Sequence, residues 1–250
     1  MPTERRDGDP NNDDAYTALL AEGKRLSPEI RIGRPGVSRL YWFTIAVMRL
    51  LRLGMTVELH GAEHLRRGTP AILVANHTSA WDPVCVVVSG WWRVTAFTKA
   101  EYFASRGSFF FRWMGQIPLR RGDAASTDWA MRMSQQALAK GGMIGIYPEG
   151  TRSPDGRLHK LHKRVLIPLL QANPDVAVHA VTMAYEKPPR GRVRVHGRIS
   201  PPVRLDSRTG SPEELTRILR DALIETGGQE YVDEYAQTMK KTKKSPRATA

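Results

Sequence analysis

From Met55 onward, short apolar runs alternate with helical patterns, and this alternation restricts the chain to an α/β fold. Strands are expected near residues 56–59, 71–75, 94–98, 116–119, 143–147, 177–182 and 193–196. Helices fit residues 82–91, 102–114, 127–140, 164–171, 212–225 and 229–239. The clearest start signal is Ser211-Pro212-Glu213-Glu214, which joins an N-cap serine, a first-position proline and a capping-box glutamate, and Gly227-Gly228 closes that helix. After Asp82 the run Val86-Val87-Val88 favours a strand by propensity and competes with the helical reading. At 250 residues and 41% hydrophobic, the chain suits one α/β domain with appendages. The domain proper is expected at residues 55–239.

The net charge of +13 calls for an anionic partner: nucleic acid, an acidic membrane surface or phosphorylated small molecules. That charge is unevenly placed. Residues 1–36 are close to neutral and, with Pro10-Asn11-Asn12-Asp13-Asp14, read as a flexible N-terminal arm in which 13–25 can form a short helix. The arm opens on charged and polar residues and has no apolar core, so it does not read as a secretory signal. Residues 240–250, with Lys240, Lys241, Lys243 and Lys244, read as a disordered basic tail. Residues 37–54 hold the most hydrophobic stretch, with Arg39, Arg49 and Arg52 and no acid. Its apolar core falls far short of the roughly 20 residues needed to span a bilayer. A basic helix with Trp42 and Tyr41 is suited to lying in the headgroup region.

Two loops after apolar strands carry chemistry. The first, Asn76-His77-Thr78-Ser79-Ala80-Trp81-Asp82, puts an imidazole and a carboxylate on one short turn after the strand at 71–75. A histidine there is a candidate general base, and a nearby carboxylate fixes its tautomer and stabilises the imidazolium. The second, Tyr147-Pro148-Glu149-Gly150-Thr151-Arg152-Ser153, follows the strand at 143–147 and combines a glycine, a hydroxyl and a guanidinium suited to phosphate. Between them Gly115-Gln116-Ile117-Pro118-Leu119-Arg120-Arg121 ends another strand in cations. Functional groups in open α/β sheets collect at strand carboxyl ends, so these loops can share a cleft. The single cysteine, Cys85, excludes an intramolecular disulfide and a cysteine zinc site and suits a reducing cytosol. Its valine-rich neighbours mark a buried, inert thiol rather than a nucleophile. His60, His64, His159, His162, His179 and His196 read as structural or surface residues.

In order and spacing these blocks resemble three of the four blocks of the 1-acylglycerol-3-phosphate acyltransferase family, over about residues 40–197. Lys99-Ala100-Glu101 is similar to a further feature of that family. The resemblance implies a single acyltransferase-type domain, a central mixed sheet flanked by helices. It implies transfer of a fatty acyl group from acyl-CoA or acyl-carrier protein to the hydroxyl of 1-acylglycerol 3-phosphate, yielding phosphatidic acid, with no acyl-enzyme. His77 would then be the base and Asp82 its orienting partner. Arg121, Glu149, Gly150, Thr151 and Arg152 would hold the acceptor phosphate, with Arg152 the main cation. The implied location is the cytoplasmic face of the cell membrane, peripheral or monotopic. A thioester is already activated, so the chemistry needs a base near pKa 6–7, positioning and oxyanion stabilisation, and no metal or cofactor.

The chain departs from the family pattern in three places. His162-Lys163-Arg164-Val165 stands where Phe-Lys-x-Gly is usual, Val178-His179-Ala180-Val181 lacks the fourth block's proline, and Arg120 occupies a position where an acid is common. These touch the acceptor side, so a different lysophospholipid or polar-lipid acceptor is an alternative. A basic lipid- or nucleic-acid-binding protein without catalysis is the alternative of another class. No helix-turn-helix, zinc or RNA-binding pattern supports nucleic acid.

Overall fold

The structure, a computed structural model, describes residues 13–51 and 55–244. Its elements in chain order are α1 (Asp13–Leu26), α2 (Tyr41–Leu51), β1 (Met55–His60), β2 (Ala71–Ala75), α3 (Asp82–Gly90), β3 (Val94–Lys99), α4 (Ser108–Trp113), β4 (Ile117–Leu119) and α5 (Ala124–Ala139). There follow β5 (Met143–Ile146), β6 (Leu158–His159), α6 (Lys163–Ala172), β7 (Ala177–Glu186), β8 (Val193–Ile199), α7 (Pro212–Gly227), β9 (Tyr231–Val232) and α8 (Ala236–Lys244). Seven strands form one sheet in the order β1-β8-β7-β2-β5-β3-β4. All neighbours are parallel except β7 and β8, which run antiparallel, so the sheet is mixed as the resemblance implies.

Burial on both faces explains the uninterrupted apolar run of β2, which lies inside the sheet and is buried at every residue. Its side chains alternate between two cores with the strand period of two. Ile72 and Val74 join the core built by α1, α5, α6 and α7. Ala71, Leu73 and Ala75 join the opposite core, to which α2 contributes Tyr41 and Ile45 and α3 contributes Cys85, Val86, Val87 and Val88. Tertiary burial thus overrides the strand propensity of the three valines, and Pro83 in the first helical turn supports the helix. For α7, Ser211 Oγ accepts from Glu214 N at 3.2 Å, and Gly228 in the left-handed region (φ 66°) ends the helix.

Several expectations are corrected. The short helix expected at 13–25 forms as α1, but it is not part of a flexible arm: it lies against α5, with Tyr16 and Leu19 buried, while residues 1–12 lie outside those described. The expected helix 102–114 divides into a 3-10 turn at Ala100–Phe103 and α4, separated by the turn at 104–107. The segment 229–239 is not one helix. Tyr231-Val232 pairs with β6, and the helix begins at Ala236 and runs to Lys244, across the boundary where a disordered tail was expected. Residues 245–250 lie outside those described. A helix forms within 37–54, but residues 52–54 are outside those described. Among the described residues no helix is long and apolar enough to cross a membrane.

Candidate active site

The parallel strands β2 and β5 are neighbours, so the loops that leave their carboxyl ends emerge side by side. The first loop begins at Asn76, a buried clamp onto β7: its Nδ2 donates to Met183 O at 3.1 Å and its Oδ1 accepts from Met183 N at 2.8 Å. This fixes where the chain turns and presents His77, which is part-buried. His77 Nδ1 lies 2.8 Å from Asp82 Oδ2, which also accepts from Thr78 N and Ser79 N, each at 2.9 Å. A carboxylate collecting amide donors assigns the ring proton to Nδ1 and leaves a lone pair on Nε2. Asp82 is fully buried and opens α3, so hydrogen bonds and the helix N-terminus offset the cost of its charge.

A further donor comes from β7. Tyr185 Oη donates to Asp82 Oδ1 at 2.6 Å, and burial and the Asp82 charge push the Tyr185 phenol far above its ordinary range. Tyr147, last before the second loop, sets its ring 4.5 Å from the imidazole of His77.

The second loop is tied to the first. Glu149 is fully buried; its Oε1 accepts from His77 N at 2.7 Å and its Oε2 from His159 N at 3.0 Å. Burial raises its pKa, and the two amide bonds work in the opposite direction. Ser153 N donates to His77 O at 2.6 Å, closing a second link. Gly150 takes a left-handed backbone (φ 68°), and a Cβ there would meet the His162 ring at 3.0 Å. The chain after β4 joins from the far side, where exposed Arg121 donates to Gly150 O at 2.5 Å. Arg152 is exposed on the same loop.

The acyltransferase family model matches residues 56–186, which contain both loops and β4. The chain belongs to the acyltransferase family. It is 30% identical over 151 residues to a chloroplastic 1-acyl-sn-glycerol-3-phosphate acyltransferase of Arabidopsis thaliana, covering 57% of this chain and 38% of the relative. It is 27% identical over 124 residues to 1-acyl-sn-glycerol-3-phosphate acyltransferase alpha of Homo sapiens, covering 44% of this chain and 43% of the relative. The matched segments therefore span less than half the length of these curated relatives. In fold the chain is similar to the 1-acyl-sn-glycerophosphate acyltransferase of Thermotoga maritima, with a TM-score of 0.53, 18% identity, and coverage of 94% of this chain and 98% of that one.

In this member of the family the expected site residues divide into two groups. His77 and Asp82 form the pair that their spacing suggests, and Arg121, Gly150, Thr151 and Arg152 gather around one loop. Glu149 is fully buried, and its carboxylate braces the backbone of His77 from inside. Cys85 is buried with its thiol pushed up to about 11, chiefly by burial, in keeping with an inert role. Two neighbours escaped the sequence reading. Tyr185 reaches Asp82, and Lys240 of α8 donates from Nζ to Thr151 Oγ1 at 3.1 Å. Long hydrophobic spacing marks neither; each depends on how β7 and α8 return to the sheet.

Proposed function

We infer that this chain transfers a fatty acyl group from a thioester, acyl-CoA or acyl-carrier protein, to the free hydroxyl of 1-acylglycerol 3-phosphate, forming phosphatidic acid. The observation that carries the reading is the mechanical union of base and anion loop. Glu149 and Ser153 bond the backbone of His77 to the loop bearing Gly150, Thr151 and Arg152. The names of the relatives in Arabidopsis thaliana and Homo sapiens support the same acceptor.

The proposed steps draw on this geometry. His77 Nε2 takes the proton of the acceptor hydroxyl as its oxygen attacks the thioester carbonyl carbon. Asp82 holds Nδ1–H and stabilises the imidazolium as it forms. The new C–O bond forms, the C–S bond breaks, and the imidazolium returns its proton to the departing thiolate. Arg121 and Arg152 hold the acceptor phosphate beside Thr151. No cofactor enters this scheme.

An apolar cleft supports a site for the acyl chain. A cleft of about 250 Å³ opens between α2, β1 and α3, lined by Met48, Met55, Val57, Leu59, Val84 and Val88. Cys85 also lines it, and its sulfur is 3.9 Å from Tyr185 Oη, so the cleft borders the Asp82 cluster. The membrane-surface reading of α2 rests on Leu40 just before it and on Phe43, Val47 and Leu50, spaced three and four apart and all exposed.

Purified protein offered labelled acyl donors and mixed lysophospholipids should acylate 1-acylglycerol 3-phosphate. His77→Ala should lower kcat by about 10²–10⁴-fold, the usual worth of a general base. Arg152→Gln should instead raise KM for the phosphate-bearing acceptor by about tenfold or more. Full turnover in His77→Ala would exclude the mechanism, and preference for another head group would redirect the acceptor assignment.

A further inference from the structure

A second basic site lies at the other end of the sheet. The catalytic loops leave the carboxyl ends of β2 and β5, whereas Gly68, Arg93 and Gly141 lie just before β2, β3 and β5. At about 3.3 Å per residue, the five residues of β2 place the two ends roughly 15 Å apart. A cavity of about 150 Å³ sits at this amino end, lined by Trp42, Trp91, Arg67, Arg93 and Lys140.

The cations differ in how they are engaged. Lys140 Nζ is paired with Asp13 at 2.6 Å. Arg93 is half-buried and, among the described residues, has no carboxylate partner. Its guanidinium lies over the Tyr41 and Trp42 rings at 5.4 and 5.5 Å and hydrogen-bonds to Gly36 O and Ser38 O, at 3.3 and 3.4 Å. Arg67 is exposed and, among the described residues, makes only long contacts of 3.4 Å, to Gly90 O. A guanidinium taken partly out of water without a counter-ion is costly unless an anion arrives.

Strain points to the same place. Trp91 has φ 54°, and among the described residues it is the sole residue other than glycine with a positive φ. It occupies the left-handed position that ends α3, where glycine is the ordinary choice. The conformation sets its indole at the cavity, 6.3 Å from Trp42.

We propose that this cavity is a second phosphate-recognition site, separate from the acceptor site, in which Arg93 and Arg67 bind the phosphate of an anionic phospholipid between Trp42 and Trp91. Paired guanidiniums match phosphate oxygens, and indoles favour headgroup depth. The lipid source rests on the membrane-surface reading of α2, which carries Trp42; the phosphate chemistry does not.

The test follows the indole N–H signals of Trp42 and Trp91 in ¹⁵N-tryptophan-labelled protein, assigned with Trp42→Phe and Trp91→Phe, during titration with inorganic phosphate. Both signals should shift. Arg67→Gln and Arg93→Gln should each weaken the response at least about tenfold, the worth of one charge-assisted hydrogen bond. Arg121→Gln, on the catalytic side, should leave the response intact. Arg67 is exposed, so its variant stays informative if Arg93→Gln fails to fold. Signals that do not move, or variants that bind phosphate like the wild type, would overturn the site. Cosedimentation with vesicles of phosphatidylcholine, alone or equimolar with phosphatidylglycerol, separates the sources. Severalfold weaker binding of Arg67→Gln to the anionic vesicles supports the lipid. Unchanged vesicle binding beside a lost phosphate response reassigns the site to a soluble phosphate compound and refutes the lipid source.

Discussion

Asp82 is where the residue-scale chemistry is decided, because a fully buried carboxylate must collect donors to remain useful. His77, Thr78 and Ser79 supply three on Oδ2, and Tyr185 supplies the short one on Oδ1. In Tyr185→Phe, Oδ1 keeps only the Thr78 hydroxyl at 3.4 Å. The variant should lose about 1.5–3 kcal/mol of stability, the range for hydrogen bonds to charged groups. Tyr185 acts through Asp82, so kcat should fall by about tenfold or more with acceptor KM unchanged. Urea denaturation and steady-state kinetics check the two halves, and an unaltered kcat would make Tyr185 a packing residue only. The His77–Asp82 pair was legible because both partners sit on one turn. Tyr185 was not, since it lies 103 positions from Asp82 and arrives only through the pairing of β7 with β2. The direction of the Glu149 carboxylate was not legible for a related reason: its place in a phosphate-like motif says nothing of which way it turns. The backbone amides of His77 and His159 turn it inward.

Elements show the same division between local and distant information. Strands β2 and β5 announce themselves as apolar runs, α7 by its cap and α1 as a short helix, but nothing local shows that α1 is packed rather than part of a polar arm. Its burial is supplied by α5. Trp129 Nε1 donates to Leu19 O at 2.7 Å, and Arg132 makes two bonds of 2.8 and 2.7 Å to Glu22. Gly23 lies flush on Trp129, where a Cβ would sit 2.5 Å from the ring. Helix propensity alone would make Gly23→Ala stabilising by about 1 kcal/mol. Overpacking against a rigid indole costs about 1–3 kcal/mol, so the variant should be neutral to clearly destabilised. A rise in the urea midpoint would show that α1 does not dock as described. At the start of α6, His162 stacks on Tyr235 at 4.3 Å, and its Nε2 is buried with no hydrogen-bond partner among the described residues. Burial, then the charges of Arg121 and Arg164, hold its pKa below the ordinary 6.5. The unfolded chain therefore takes up this proton first as pH falls. The stability contribution is complete above about 6.5 and is lost as pH drops through the lower folded value. His162→Phe should flatten this part of the stability–pH curve, and an unchanged slope would refute the assignment.

At the scale of the whole molecule, α2 turns one face to the core and another to solvent, which decides how its proposed membrane contact must be tested. Tyr41 and Ile45 are 1% and 0% exposed in the core, and Tyr41 Oη donates to Trp92 O at 2.8 Å. Removing residues 1–53 would therefore strip the sheet of a covering helix, and lost vesicle binding would report unfolding as readily as lost contact. Phe43 and Leu50, at 58% and 87% exposed, offer a cleaner lever. Charging them leaves the core untouched, so Phe43→Glu with Leu50→Glu should shift stability by no more than about 0.5 kcal/mol per site. Each side chain, if it enters the bilayer interface, contributes about 1.5–3 kcal/mol of apolar transfer. Losing both and adding two negative charges should reduce binding to phosphatidylcholine–phosphatidylglycerol vesicles at least about a hundredfold. Turnover of a short-chain acceptor dispersed in water should persist, because His77, Asp82 and the Gly150 loop lie beyond the substituted stripe. Wild-type cosedimentation of the double variant would place the membrane face elsewhere on this strongly basic surface. Loss of turnover together with binding would instead mean that α2 shapes the cleft proposed for the acyl chain, which it lines with Met48 and Arg49.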